Sequence, residues 1–294
     1  MKHAVLGMGA IGGLMATALS SVGEEVTGVV RREKVAGFPR RISLEQPGGS
    51  VAGEVRAVAT LDNSVDVLWI ATKTYQLESA LEHITTAPNA ILPLLNGIDH
   101  VAALRARFGD DRVLPATIAV EAERAAEGRY VQRSALRLNL SAKAEPLLGA
   151  IVARLEERLG FSCKFFDNEQ TLLWTKLCFL APFALATSAS GKDKGGIFAD
   201  AAWKAKLYSA IEEASAVANA SGAEVDAAKL QGIFENAPAT MRSSMAKDLI
   251  AGRRLELDDI AGPIIRGGAE HNIPVPTILE LANAVRVRSA AQHA

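Results

Sequence analysis

Cysteine is nearly absent from this chain of 294 residues: Cys163 and Cys178 are the only two. They make neither a disulfide framework nor the paired spacing of a metal site. Without an oxidising signature, a reducing cytoplasm is the expected compartment. Charge of one sign is lacking too, since 32 Lys and Arg stand against 33 Asp and Glu, a formal net charge of −1. That balance argues against a nucleic-acid partner or an anionic-membrane surface. Long apolar runs are also missing. The N-terminal one is too short for a signal peptide and is broken by glycines. The longest, Leu177 to Ala186, falls far short of a membrane span and contains Pro182. There is no internal repeat and no low-complexity tract. What remains is a length suited to one large or two ordinary domains. Hydrophobic residues make up 49%, and the mean hydropathy of +0.14 is enough for a sizeable core.

The chain is organised around its first dozen residues. An apolar strand, His3-Ala4-Val5-Leu6, runs into Gly7-Met8-Gly9-Ala10-Ile11-Gly12 and then a helix from Gly13 to about Ser21. Gly7, Gly9 and Gly12 have the G-x-G-x-x-G spacing. Gly7 lets the chain turn sharply out of the strand. Gly9, without a Cβ, lets a pyrophosphate approach the backbone, and Gly12 lets helix and strand pack closely. The phosphates would sit on free amides at the positive end of the helix dipole. A second strand follows at Glu25 to Val30, which is the context a dinucleotide site requires. An NAD site usually carries Asp or Glu at that second strand's tip, bonding the ribose 2′-hydroxyl. Here the tip is Arg31-Arg32, and guanidinium groups pair with a 2′-phosphate instead. The expected cofactor is therefore NADP(H). The plain alternative is a solvated basic turn partly neutralised by Glu33.

Strand candidates follow at Arg41–Leu44 and Val51–Val58, joined by a Pro47-Gly48-Gly49 turn that predicts a hairpin. Val65 to Ala71 is a near-continuous apolar run, typical of a buried parallel strand. It ends in Thr72-Lys73-Thr74 and a helix from Tyr75 to about Ile84. Residues 90–95 form a further strand, ending in Asn96-Gly97-Ile98 before a helix at about Asp99–Phe108. Ligands of open α/β sheets sit at the carboxyl ends of strands, where Lys73 and Asn96 both fall. Lys73 suits a phosphate or carboxylate, and Asn96 a ribose or the substrate. As a surface Lys and a turn Asn, neither needs a ligand. Val113 to Ser141 alternates around Glu127-Gly128-Arg129 and predicts antiparallel strands at the sheet edge. A helix at about Pro146–Leu159 and a strand at Ser162–Phe166 complete the first domain, residues 1–166.

From 167 to 294 the patterning is helical, with almost no strand. Asp167-Asn168-Glu169-Gln170 is N-cap chemistry, with Gln170 three residues after Asp167. The helix it starts holds one charge between Glu169 and Lys192, namely Lys176. An ammonium in so apolar a run snorkels or is paired, and burial lowers its pKa and improves it as a proton donor near neutrality. Lys176, Leu180 and Ala184 share one face, and Pro182 should kink the helix or end it early. Gly191–Gly196 reads as a loop. Helices follow at about Asp200–Ser221, Ala227–Asn236, from Asp258 to about Glu270, and after Pro276 to about Ser289. Ser243 and Ser244 fall where N-cap hydroxyls or a carboxylate ligand are expected. Glu256 alone resembles an acid favoured at a helix start.

Taken together these stretches resemble the ketopantoate reductase (2-dehydropantoate 2-reductase) family over essentially the whole length. The carriers are the glycine turn, Arg31, Lys73, Asn96-Gly97, Trp174-Thr175-Lys176-Leu177, Ser243-Ser244-Met245-Ala246-Lys247-Asp248, and Glu256. The resemblance implies an α/β fold: an N-terminal Rossmann-type NADP-binding domain with an all-helical C-terminal domain like that of 6-phosphogluconate dehydrogenases. It implies NADPH-dependent reduction of a 2-oxo acid, in the first place 2-dehydropantoate to pantoate in pantothenate biosynthesis. Lys176 would be the proton donor, and Glu256 would bond the substrate hydroxyl and support Lys176. Ser244 would hold the carboxylate. Lys73 and Asn96 would lie at the nicotinamide ribose, and Ala122 would match a backbone contact to the cofactor. A homodimer through the helical domain is the expected assembly.

One departure stands out. Members of that family acting on ketopantoate carry asparagines one and two turns after the lysine, where this chain has Leu180 and Ala184. The substrate-binding face is therefore apolar, which favours a bulkier or more apolar 2-oxo acid. The alternatives are imine reduction on the same scaffold and a non-catalytic NADP(H)-binding regulator. Because a charge-assisted hydrogen bond is worth about 1.5–3 kcal/mol, the arginine tip predicts NADPH favoured over NADH by about 10- to 100-fold in kcat/KM. Parallel turnover measurements check it, and a preference for NADH would overturn the assignment of Arg31.

Overall fold

Residues 1–292 are described by the structure, a computed structural model. Two compact units divide the chain: Met1–Leu95 with His100–Asp167, and Asn96–Asp99 with the residues from Asn168 onward.

The first unit begins with β1 (Lys2–Leu6), buried on both faces from His3 onward and therefore central. α1 (Ala10–Ser21) and β2 (Glu25–Val29) follow, and β2 pairs parallel with β1. β3 (Arg41–Gln46) and β4 (Gly49–Glu54) form the expected hairpin. The run 51–58 is two strands, not one. β4 ends at Glu54, Val55 buries its side chain and hands its amide to the Arg40 carbonyl, and β5 (Arg56–Val58) pairs parallel with β2 instead. β6 (Val67–Ile70), α2 (Leu77–Leu81), β7 (Ala90–Pro93) and α3 (Asp99–Phe108) complete the Rossmann half. The sheet order is β5-β2-β1-β6-β7, all parallel, so the order reverses between β1 and β6. That reversal marks the crevice where doubly wound sheets bind ligands.

The helix expected over 75–84 is shorter. A 3-10 turn at Thr74–Gln76 precedes α2. Beyond Leu81 the backbone bonds to Leu61 instead: Leu61 donates to the His83 carbonyl and the Thr85 amide returns a bond to the Leu61 carbonyl.

β8 (Ala116–Ala119), β9 (Ala122–Ala126), β10 (Arg129–Gln132) and β11 (Arg137–Ser141) lie where alternation placed strands. They do not extend the parallel sheet. β9 and β10 join the hairpin as β4-β3-β10-β9, with β10 parallel to β3. β11 lies between β8 and β12 (Ser162–Phe166), after α4 (Glu145–Leu159). α1 packs against β1 and β2 and also against β4, β9 and β10. Its Gly13 lies under Tyr130, and a Cβ there would stand 1.9 Å from that ring. Local alternation identifies a strand but carries no information on which neighbour it selects.

In the second unit α5 (Glu169–Ser190) is the core helix. Its cap is Asn168 rather than Asp167: the Asn168 side chain accepts from the Thr171 amide at 3.0 Å. Pro182 does not end it. Lacking an amide hydrogen, Pro182 cannot donate to the carbonyl four residues back. The helix runs on to Ser190 because Ala181–Ser188 is buried throughout, and it stops at left-handed Gly191. Among the described residues α5 alone is long and apolar enough to cross a membrane, but 72% of its most apolar window is buried inside the protein. The loop expected at 191–196 contains the start of α6 (Lys194–Phe198), capped by Asp193. α7 (Ala201–Ala220), α8 (Ala227–Glu235), α9 (Ser244–Ile250), α10 (Leu257–Glu270) and α11 (Pro276–Ala291) complete the unit. α5 packs against α6, α7, α9, α10 and α11.

Four residues from the turn after β7 belong to this helical unit. Ile98 packs on its apolar core, Asp99 pairs with Arg266, and Gly97 has φ +78°. A Cβ on Gly97 would lie 2.4 Å from the Asp259 carbonyl oxygen, so glycine is needed there for conformation and for space. Gly97→Ala is expected to lower the stability of the helical unit by about 1–3 kcal/mol. Urea unfolding followed by Trp174 and Trp203 fluorescence checks it.

Candidate functional site

The Rossmann half of the site is built on backbone. Gly7 leaves β1 with φ +94°, and a Cβ on it would lie 2.8 Å from the Thr72 methyl at the end of β6. Gly12 packs so closely that its Cβ would stand 1.9 Å from the Gly7 carbonyl oxygen. These two contacts tie the turn to the sheet's switch point. Gly9 is the N-cap of α1, has no side chain to cap it, and faces open space where a Cβ would point. No acid lies in the first turn of α1. The helix therefore presents uncapped amides and its positive end to solvent, which fits a pyrophosphate. Met8 is buried beneath the turn, and Ala10 and Ile11 are half-buried on it.

Arg31 and Arg32 are exposed beyond β2. Among the described residues neither makes an ion pair with Glu33; the nearby Lys34 pairs with Glu127 at 2.8 Å. The exposed guanidinium groups fit a 2′-phosphate and leave no carboxylate for a ribose 2′-hydroxyl. Lys73 begins the 3-10 turn after β6 and is half-buried. Ala122 opens β9 opposite Gln132 and is half-buried. Thr72, beside Gly7, had no signal beyond its neighbour Lys73, and only the register of β1 with β6 brings it to the glycine turn.

In the helical unit Lys176 lies in the second turn of α5 and Glu256 just before α10, which packs on α5. Glu256 is 5% exposed, and although it occupies the N-cap position its side chain caps nothing. Part of the Lys176 surface stays accessible, but its amine is densely surrounded. Desolvation lowers the Lys176 pKa to about 8, against the opposing pull of the Glu256 carboxylate. Asn96 Nδ2 donates to Glu256 Oε2 at 3.2 Å, a bond between residues 160 apart that no local pattern signals. Leu180 is half-buried and Ala184 fully buried on the Lys176 face. The two serines separate in role. Ser243 is the buried cap of α9, accepting from the Ala246 amide at 3.1 Å and sharing a 2.8 Å hydrogen bond with Thr187. Ser244, the first helical residue, is exposed.

Comparison with known proteins gives the family. The family model described as "Ketopantoate reductase PanE/ApbA" matches residues 3–145, and its C-terminal companion matches residues 168–289. The chain belongs to the ketopantoate reductase family. Members are NADP-dependent oxidoreductases, and this chain is one. It is 28% identical to the 2-dehydropantoate 2-reductase of Caulobacter vibrioides, with 96% of this chain and 98% of that protein covered. The crystal structure of a PanE/ApbA family ketopantoate reductase from Ralstonia eutropha JMP134 superimposes with a TM-score of 0.85 at 26% identity, each chain fully covered. The ternary structure of D-mandelate dehydrogenase with NADH and anilino(oxo)acetate superimposes with a TM-score of 0.86 at 21% identity, again fully covered, and shares the fold.

With its pKa lowered to about 8, Lys176 would set the pH dependence of any reduction in which it gives the proton. The ammonium is the form that can give a proton, so carbonyl reduction should be level below the Lys176 pKa of about 8. Above it, kcat/KM should fall about tenfold per pH unit. The reverse oxidation needs the neutral amine and should rise through the same range. Profiles measured in both directions check it; a reduction rate that climbs above pH 8 would contradict the assignment.

Proposed function

We propose that the protein reduces a 2-oxo acid to the 2-hydroxy acid with NADPH, and that 2-dehydropantoate, giving pantoate for pantothenate biosynthesis, is the first substrate to test. The observation that carries this reading is the Lys176 ammonium, desolvated in a core helix and opposed by the buried Glu256 carboxylate. A merely structural core has no use for such a pair, because burying charge is costly. NADPH, when bound, supplies the hydride to the carbonyl carbon. Lys176 Nζ gives its proton to the carbonyl oxygen, so the C=O becomes CH–OH and the amine is left neutral. Glu256 keeps Lys176 protonated before the step and bonds the substrate hydroxyl. The exposed Ser244 hydroxyl, at the start of α9, receives the substrate carboxylate. The α1 amides hold the pyrophosphate, Arg31 the 2′-phosphate, and Lys73, Asn96 and Ala122 the remaining contacts to the cofactor. The two cysteines are free, which suits a reducing cytoplasm.

A second reading concerns the substrate side chain. Leu180 and Ala184, one and two turns beyond Lys176, offer no hydrogen bond, so a hydroxyl-bearing chain gains nothing there while an apolar one buries surface. The aryl oxo acid bound by D-mandelate dehydrogenase on the same fold is the kind of ligand this favours.

The test is an NADPH-oxidation screen across 2-oxo acids, with ketopantoate, branched aliphatic and aryl members. Turnover with any of them supports the reductase. The ratio of ketopantoate to apolar acids decides between the two substrate readings. Oxidation that requires an amine beside the keto acid would indicate imine reduction, and tight NADPH binding without turnover a regulator. Lys176→Ala should bind NADPH normally and lose about 10²- to 10⁴-fold in kcat.

A further inference from the structure

We propose that Asn96 is a positioning residue: its side-chain amide orients the Glu256 carboxylate, and through that carboxylate it steadies the ammonium of Lys176. Asn96 follows a strand of the Rossmann sheet, yet it belongs to the helical unit, and its neighbours hold it there. Gly97 lies against the Asp259 carbonyl, Ile98 packs on the helical core, and Asp99 pairs with Arg266. Three consecutive anchors fix where the Asn96 amide can reach, and it reaches Glu256 Oε2 at 3.2 Å.

That donor meets a carboxylate in an acidic setting. Glu256 is buried, and Asp259 lies close enough for the two like charges to interact, with Asp258 and Asp99 acting on Asp259 in turn. A directed N–H holds a buried carboxylate in one orientation against the like charge of Asp259. Several charges on the other elements packed on α5 have partners of their own. Asp248 of α9 pairs with Arg253, Glu213 of α7 accepts the amides of Thr277 and Ile278, and Arg288 of α11 bonds the Ser188 and Ala189 carbonyls. Lys194 of α6 lies over Phe198. Glu256 is thus the counter-charge of Lys176, and the Asn96 amide sets where that charge points. Without it Lys176 would hold its own proton less tightly.

This rests on Lys176 as the proton donor, but its test reads the amine directly and needs no substrate. The reactivity of Lys176 toward a pulse of acetic anhydride, followed by mass spectrometry across pH, gives its midpoint in the full chain. In Asn96→Ala that midpoint, read in the absence of cofactor, should fall by about one pH unit. Asn96→Leu, similar in size and without a donor, should do the same if the alanine variant folds poorly. Glu256→Gln should lower the midpoint as well, and adding Asn96→Ala to it should lower it no further. A midpoint that stays in place in both Asn96 variants overturns the proposal. So does an equal further shift in the Glu256→Gln background. If Lys176→Ala keeps its turnover while the midpoint still moves, the positioning role stands and the proton-donor reading fails.

Discussion

The helical unit is arranged around one costly object, an ammonium carried by its central helix. α5 has nearly every other position between Leu172 and Ser188 committed to the core. Lys176 is desolvated there, and the charge that compensates it comes from Glu256, eighty positions further along the chain. That compensation requires α10 to begin where it does and to pack on α5. It also requires Glu256 to spend its N-cap position on something other than capping. A folding unit with no chemistry to perform would have put an apolar residue at 176 and a serine or aspartate at 256. The departures from helix-building rules coincide with the candidate chemistry, as they commonly do at functional sites.

The Rossmann unit meets the opposite requirement with very little side-chain chemistry. Its candidate binding surface is made of amides, and what the sequence supplies is the absence of Cβ atoms. Gly12 admits the Gly7 carbonyl, Gly13 admits Tyr130, and Gly9 leaves the end of α1 open. Sheet order then sets that open end at the reversal between β1 and β6. Charge stands beside it as Lys73 after β6 and, at the rim, as Arg31 and Arg32, where a dinucleotide site of the other kind carries a carboxylate.

Much of this was legible locally. The glycine turn, β12, α3 and the long helices α7, α10 and α11 follow from periodicity and punctuation, because their signals lie within one or two turns of chain. The errors have a common form. The run 51–58 divides because Arg40 and β2 compete for successive parts of it, α2 stops short because Leu61 takes the following backbone, and β8–β11 leave the parallel sheet for partners of their own. Pro182 remains inside a helix because packing on both sides outweighs one lost hydrogen bond. In each case a distant partner overrode a local preference. At the candidate site the same limit holds. Lys176 announces itself as a lone charge in an apolar run, whereas Glu256 by itself reads as ordinary helix-start decoration, and the bond from Asn96 has no local signal at all.

The amino-acid sequence by itself determined the glycine turn, the basic tip after β2, and the lone cation in the apolar run of α5, since each depends on residue types at short spacing. Only the tertiary structure decided which carboxylate answers that cation and what holds the carboxylate in turn. Electrostatic partners are chosen by distance in space, and distances between residues 80 or 160 apart exist only once the elements between them have packed.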